Sequence, residues 1–119
     1  MENTAISSIV AFSKKIKDDR DINKIFLHAM TEMGELSEEI LIDKGLSYKE
    51  PGVDGVVGEA VDLLICIVDL LHFHLKQKGV DLSGGVIDAY IKDVAENKLK
   101  KWEEKSELIK SQNRKTHAQ

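Results

Sequence analysis

The sequence predicts an all-α chain, a four-helix bundle-like protomer. Three observations carry that expectation. Apolar residues recur every three or four positions through most of the chain. Among 119 residues there is one proline, with only three Phe, two Tyr and one Trp, and a mix of 42% hydrophobic and 32% charged residues that favours long helices over a sheet. Asp- and Gly-rich breaks separate the periodic stretches. The length suits one domain with a real core and no room for a second. The expected division is a helical domain over 1–102 and a polar tail over 103–119.

The first helix is expected over about 4–18, because Ile6, Ile9, Val10, Ser13 and Ile16 form one stripe and Lys14, Lys15 and Lys17 the opposite face. Thr4 suits its N-cap. Asp18-Asp19-Arg20-Asp21 marks a connection, with Asp21 placed to cap the next helix.

The second helix is expected over about 22–43, ending before Gly45 as a C-cap glycine. At about 100° per residue, Ile25, Ala29, Met33, Leu36 and Ile40 share one arc. Glu32, Glu35 and Glu39 lie on its rim, while Glu38 points away. The segment 45–58, with Pro51, Gly52 and Gly55, is a little long for a helix hairpin. It either closes over a ligand or serves as a plain connector.

The third helix, starting at 53 or 56 and ending near 78, is apolar almost all round, with Asp62 and Asp69 on a narrow strip. A helix of that kind needs burial on every side, which so short a chain cannot supply alone. Packing of the central helices against another subunit is therefore expected. Gly79 stops this helix, Ser83 is a possible cap, and the fourth helix begins near 84–86. Ile87, Tyr90, Ile91 and Val94 define its inner stripe, which leads on to Lys98 and Lys101 with Asn97 beside them; Lys100 points outward. A face that turns from apolar to cationic suits a helix end that reaches a phosphate, although lysines near a C-terminus also complement the helix dipole. Beyond Trp102 the polar composition predicts fraying or disorder. There is no internal repeat.

The net charge of −4 argues against broad attraction to nucleic acid or an anionic membrane. A single cysteine, Cys66, rules out an intrachain disulfide and fits a reducing compartment. Met1-Glu2-Asn3-Thr4 lacks a basic segment leading into an apolar one. The most hydrophobic run, 60–75, is too short to span a bilayer and is interrupted by Asp62 and Asp69. The expectation is a cytoplasmic protein without membrane or nucleic-acid partners.

Two acidic pairs stand out, Glu32-x-x-Glu35 and Glu59-x-x-Asp62. Residues three apart on a helix share a face, so a packed helix pair would gather four carboxylates. Four such groups cannot all remain charged in an interior unless a cation joins them. All-oxygen ligation suits Mg²⁺ or Mn²⁺. Asp62 lies among aliphatic residues with no basic residue within a helical turn. Asp69, two turns further, is read as a supporting group, a further ligand, or a hydrogen-bond partner of His72 or His74. The plain alternative for the glutamates is a solvated acidic edge.

With their neighbours, Met30-Thr31-Glu32-Met33-Gly34-Glu35-Leu36 and Gly58-Glu59-Ala60-Val61-Asp62-Leu63-Leu64, these motifs resemble the MazG-like members of the all-α nucleoside triphosphate pyrophosphohydrolase superfamily. Those proteins carry Glu-x-x-Glu, a spacer, and Glu-x-x-Asp on consecutive helices. The resemblance covers the second and third helices well and the first and fourth in pattern only. It implies hydrolysis of an NTP or dNTP to the monophosphate and pyrophosphate, as in nucleotide-pool house-cleaning. It also implies Mg²⁺ held by Glu32, Glu35, Glu59 and Asp62, and a dimer or a tetramer of two dimers. An Asn and basic residues of the last helix near the phosphates correspond to Asn97, Lys98 and Lys101.

Metal ions would neutralise and orient the triphosphate and acidify a bound water. A carboxylate not fully used as ligand, Glu35 or Glu39, would take the proton; the sequence does not choose between them. It offers no Gly-rich phosphate loop and no supported Cys-His or Ser-His pattern. Three rivals were weighed. A di-iron bundle would use Glu-x-x-His on two helices, which only Asp69-x-x-His72 approaches. The others are a non-catalytic helical interaction module and phosphoribosyl-ATP pyrophosphohydrolase of histidine synthesis.

Overall fold

The computed structural model describes residues 4–16, 20–80 and 85–117. They form four helices, α1 (Ala5–Lys15), α2 (Ile22–Asp43), α3 (Gly55–Gln77) and α4 (Val86–His117), with no strand among the described residues. The chain divides into two compact units, Met1–Leu82 and Ser83–Gln119, where the sequence suggested a boundary near Trp102. None of the described helices is long and apolar enough to cross a membrane.

Local chemistry sets the helix ends. Thr4 opens α1 with a reciprocal capping box: its hydroxyl accepts from the Ser7 N–H at 3.0 Å, and the Ser7 hydroxyl accepts from the Thr4 N–H at 2.9 Å. Ile16 turns out of the helix (ψ 119°), so α1 is shorter than expected; residues 17 and 18 lie outside the described residues. Asp21 caps α2 through the Lys24 N–H at 2.9 Å, as its position predicted. Two chain reversals use left-handed glycines, Gly45 (φ 73°) and Gly79 (φ 74°). In each, the following residue bonds back to a carbonyl of the last turn, Leu46 to Leu41 and Val80 to Leu75. The expected Ser83 cap lies outside the described residues.

In the first unit α2 and α3 pack along each other, and α1 lies against α3. Val10, Ile25, Ala29, Cys66, Val68 and Leu75 are buried there. Met33 and Ile40, expected on the inner arc of α2, are instead 47% and 43% exposed. The arc that faces α3 is narrower than the apolar arc of the sequence. On α3, Val61, Leu64, Ile65 and Ile67 remain 40–46% exposed, because α1 and α2 cover only part of its circumference.

The second unit departs from expectation at its end. Helix α4 continues to His117, past Trp102, where fraying was predicted. Glu, Lys, Gln and Leu are all good helix formers. The pairs Lys92–Glu96 and Glu107–Lys110, four and three residues apart, add small supports along the exposed surface. Polarity alone was the wrong signal, since a charged face does not disfavour a helix.

Candidate metal centre

The packing of α2 on α3 brings Glu32, Glu59 and Asp62 together. One carboxylate oxygen from each lies within 4.8 Å of the others, and all three residues are half-buried. Glu59 and Asp62 sit one turn apart near the start of α3, and Glu32 comes from the middle of α2. Oε2 of Glu32 and Oε2 of Glu59 are buried and have no hydrogen-bond partner. A buried carboxylate oxygen without a donor is costly, and convergent ones more so.

Glu35 stands beside this triad. It is exposed, and its negative charge bears on both Glu32 and Glu59. Burial raises the Glu32 carboxyl above its ordinary 4.5, and the charges of Glu35 and Asp62 push the same way, opposed by His28. Burial likewise raises Glu59, reinforced by Glu35, Asp62 and Glu32. Glu32 and Glu59 thus hold protons more firmly than separate carboxylates would, and a cation placed beside them would displace those protons. A set of hard anionic oxygens, two of them buried and unpaired, fits Mg²⁺ or Mn²⁺.

Glu39 has a different partner. It is buried, and its Oε1 accepts from the backbone N–H of Gly52 at 2.7 Å. A Cβ at position 52 would stand only 2.6 Å from that oxygen. The neighbouring Glu38 pairs with Lys49. The connector between α2 and α3 is therefore fastened back onto α2 at two points.

Asp69 belongs to a network that sequence reasoning missed. Arg20 reaches both of its oxygens, at 2.5 and 3.3 Å, and the Ser13 hydroxyl donates to Oδ1 at 2.5 Å. Ser13 Oγ also lies 2.9 Å from Nδ1 of the buried His72. The direct Asp69–His72 or Asp69–His74 bond considered from the sequence is replaced by a Ser13 bridge. Because the single hydroxyl proton goes to Asp69, Nδ1 of His72 carries the proton donated to Oγ, leaving Nε2 as an acceptor. That Nε2 is buried without a partner. Burial lowers the imidazole below its ordinary 6.5, helped by Lys14 and Lys76. A cavity of about 340 Å³ lies alongside, lined in part by Ser13, Arg20, His72 and Lys76. The available signal was a serine on an otherwise apolar stripe.

Two more residues adjoin Glu32. His28, one turn earlier on α2, has Nε2 3.5 Å from Glu32 Oε1, and the buried Cys66 of α3 completes a second group whose donor atoms lie within 4.8 Å of one another. A cavity of about 230 Å³ is lined by His28, Cys66, Asp69, Arg20, Lys24 and Ile25. Asn97, Lys98 and Lys101 are exposed on α4, within the second unit.

Fold and site together define an all-helical chain with a carboxylate cluster held between two packed helices. No known protein family, curated protein or solved structure matches it.

Proposed function

We propose that the chain is a Mg²⁺-dependent nucleoside triphosphate pyrophosphohydrolase of the MazG-like kind, hydrolysing an NTP or dNTP to the monophosphate and pyrophosphate. One observation carries this reading: the convergence of Glu32, Glu59 and Asp62 within 4.8 Å, with two buried oxygens lacking a donor. These are three of the four acids that the resemblance assigns to Mg²⁺, and the charge of Glu35, the fourth, bears on two of them.

Bound there, Mg²⁺ would screen the triphosphate charge and orient the phosphates for attack by water. Glu32, Glu59 and Asp62 hold the cation. Glu35, one turn from Glu32 on α2 and open to solvent, is the better placed of the two acids to accept the proton of the attacking water. Glu39 is engaged by the Gly52 amide and supports the connector. Asn97, Lys98 and Lys101 are assigned to the phosphates by resemblance, aided by their exposure. The exposed Val61, Leu64, Ile65 and Ile67 favour a homodimer or tetramer built through α3.

The test is a pyrophosphate-release screen with and without Mg²⁺, across canonical and modified nucleotides and phosphoribosyl-ATP. Glu59→Gln and Asp62→Asn are expected to abolish Mg²⁺-dependent release while retaining the helical circular-dichroism spectrum. Full activity in either variant removes the metal assignment. Absence of release from every substrate by the unaltered chain leaves a helical interaction module.

A further inference from the structure

We propose a second cation site beside the carboxylate triad, selective for a thiophilic divalent ion of the Zn²⁺ class and formed by His28 Nε2, a Glu32 oxygen and Cys66 Sγ. Nothing in the pyrophosphohydrolase reading calls for His28 or Cys66, and the site stands without that reading, although the two share Glu32.

Three independent features support it. The donor atoms come from two helices and already lie within 4.8 Å of one another. His28 and Glu32 are four apart on α2, so their side chains stack on one face, and Nε2 is 3.5 Å from Oε1. Zinc–ligand distances of about 2.0–2.3 Å in a tetrahedron place donors roughly 3.4–3.8 Å apart. The His28–Glu32 spacing satisfies this at once, and the remaining approach to Cys66 is at most about 1 Å, within reach of the exposed His28 side chain and a rotation of Glu32.

Second, the donors are chemically distinct from the neighbouring triad. Imidazole nitrogen and thiolate sulfur prefer zinc-class ions, while all-carboxylate sites suit magnesium. Mg²⁺ would leave this group for the oxygen-rich one, and Zn²⁺ would do the reverse.

Third, Cys66 is over nine-tenths buried, with 8% of its surface exposed, and makes no hydrogen bond or ion pair among the described residues, while Glu32 Oε2 is buried without a partner. The cavity of about 230 Å³ that His28 and Cys66 line leaves room for a fourth, exchangeable ligand. Binding converts the thiol to a thiolate and releases its proton to solvent; no other bond forms or breaks. With both ions present, Glu32 would be drawn on by each.

The full chain titrated with Co²⁺, a spectroscopic stand-in for Zn²⁺, tests the site. Because the chain has one cysteine, a sulfur-to-cobalt charge-transfer band reports Cys66 and no other residue. The expected result is such a band saturating at one equivalent, removed by Zn²⁺ and, with Glu32 shared, weakened but not removed by excess Mg²⁺. Cys66→Ala should abolish the band. His28→Ala, an exposed position that leaves the core intact, should weaken Co²⁺ binding by about tenfold or more, since even supporting partners of a ligand are worth roughly 10–100-fold. Glu59→Gln keeps all three ligands, so its band should persist even where Mg²⁺-dependent turnover is lost. Absence of a charge-transfer band in the unaltered chain, or Co²⁺ affinity unchanged by His28→Ala, overturns the proposal. Neither result bears on pyrophosphate release.

Discussion

Ser13→Ala is the most direct probe of how α1 is locked onto the helix that carries Glu59 and Asp62. The hydroxyl donates to Asp69 and accepts from His72 Nδ1, at 2.5 and 2.9 Å. Asp69 loses little when the hydroxyl goes, because Arg20 still reaches both of its oxygens. His72 loses everything: with 3% of its surface exposed and Nε2 already unpartnered, its ring N–H would be buried and unpaired. Stranding such a donor costs about 1–3 kcal/mol. Alanine gives back roughly 0.5 kcal/mol through its better helix propensity. The expected net loss is about 0.5–2.5 kcal/mol, or a fall in Tm of roughly 2–20 °C for a unit of this size. Urea unfolding followed by circular dichroism measures it, with an unchanged m-value as the check that the unfolded state is unaffected. Adding His72→Phe removes the stranded donor, so the double variant should cost less than the sum of the single ones. A Ser13→Ala chain as stable as the parent, or strict additivity in the double variant, refutes the bridge.

Three further outcomes are expected. Because His72 binds its proton less readily in the folded than in the unfolded chain, its contribution to stability is complete above pH 6.5 and declines as pH falls below that value towards the lowered folded value; His72→Gln should flatten this part of a stability–pH profile, and an unaltered profile would count against the buried neutral imidazole. The raised Glu32 and Glu59 carboxyls have the opposite sign: without a cation, their contribution is present below 4.5 and is lost as pH rises through their raised folded values. If Mg²⁺ binds there, its stabilisation of Tm should grow as pH rises above 4.5 through the raised folded values, and an increment independent of pH would argue against the cluster as the binding site. Gly52→Ala forces Glu39 Oε1 away from the added Cβ, weakening a charge-assisted bond worth about 1.5–3 kcal/mol; since Glu39 can swing aside, a loss of about 1 kcal/mol in urea unfolding is expected, and none would mean that the bond contributes nothing.

What could be read from the sequence was what short-range geometry dictates. Thr4 and Asp21 cap their helices because an N-cap oxygen needs only the amide three residues on. Glu59 and Asp62 were paired by spacing alone, and Glu32 followed once two long helices were expected to pack. Glu39 was not separable from Glu35, because its partner is a backbone amide in the connector, and no local pattern states where a loop folds back. Ser13 and Arg20 are both far from Asp69 in sequence, so their meeting depends on how α1 lies on α3. The end of α4 escapes composition for a different reason: a polar segment without an apolar face need not fray, because Glu- and Lys-rich sequence sustains a helix.

The two fastenings of the connector, Lys49 to Glu38 and the Gly52 amide to Glu39, make its later part an extension of α2. Length changes in this segment should be absorbed between Gly45 and Tyr48, ahead of both anchor points. An insertion between Lys49 and Gly52 would instead shift the start of α3, and with it the register of Glu59 and Asp62 against Glu32. A segment that looks like the most variable part of the chain thus acts as a ruler, setting how far along each other the two acid-bearing helices may slide.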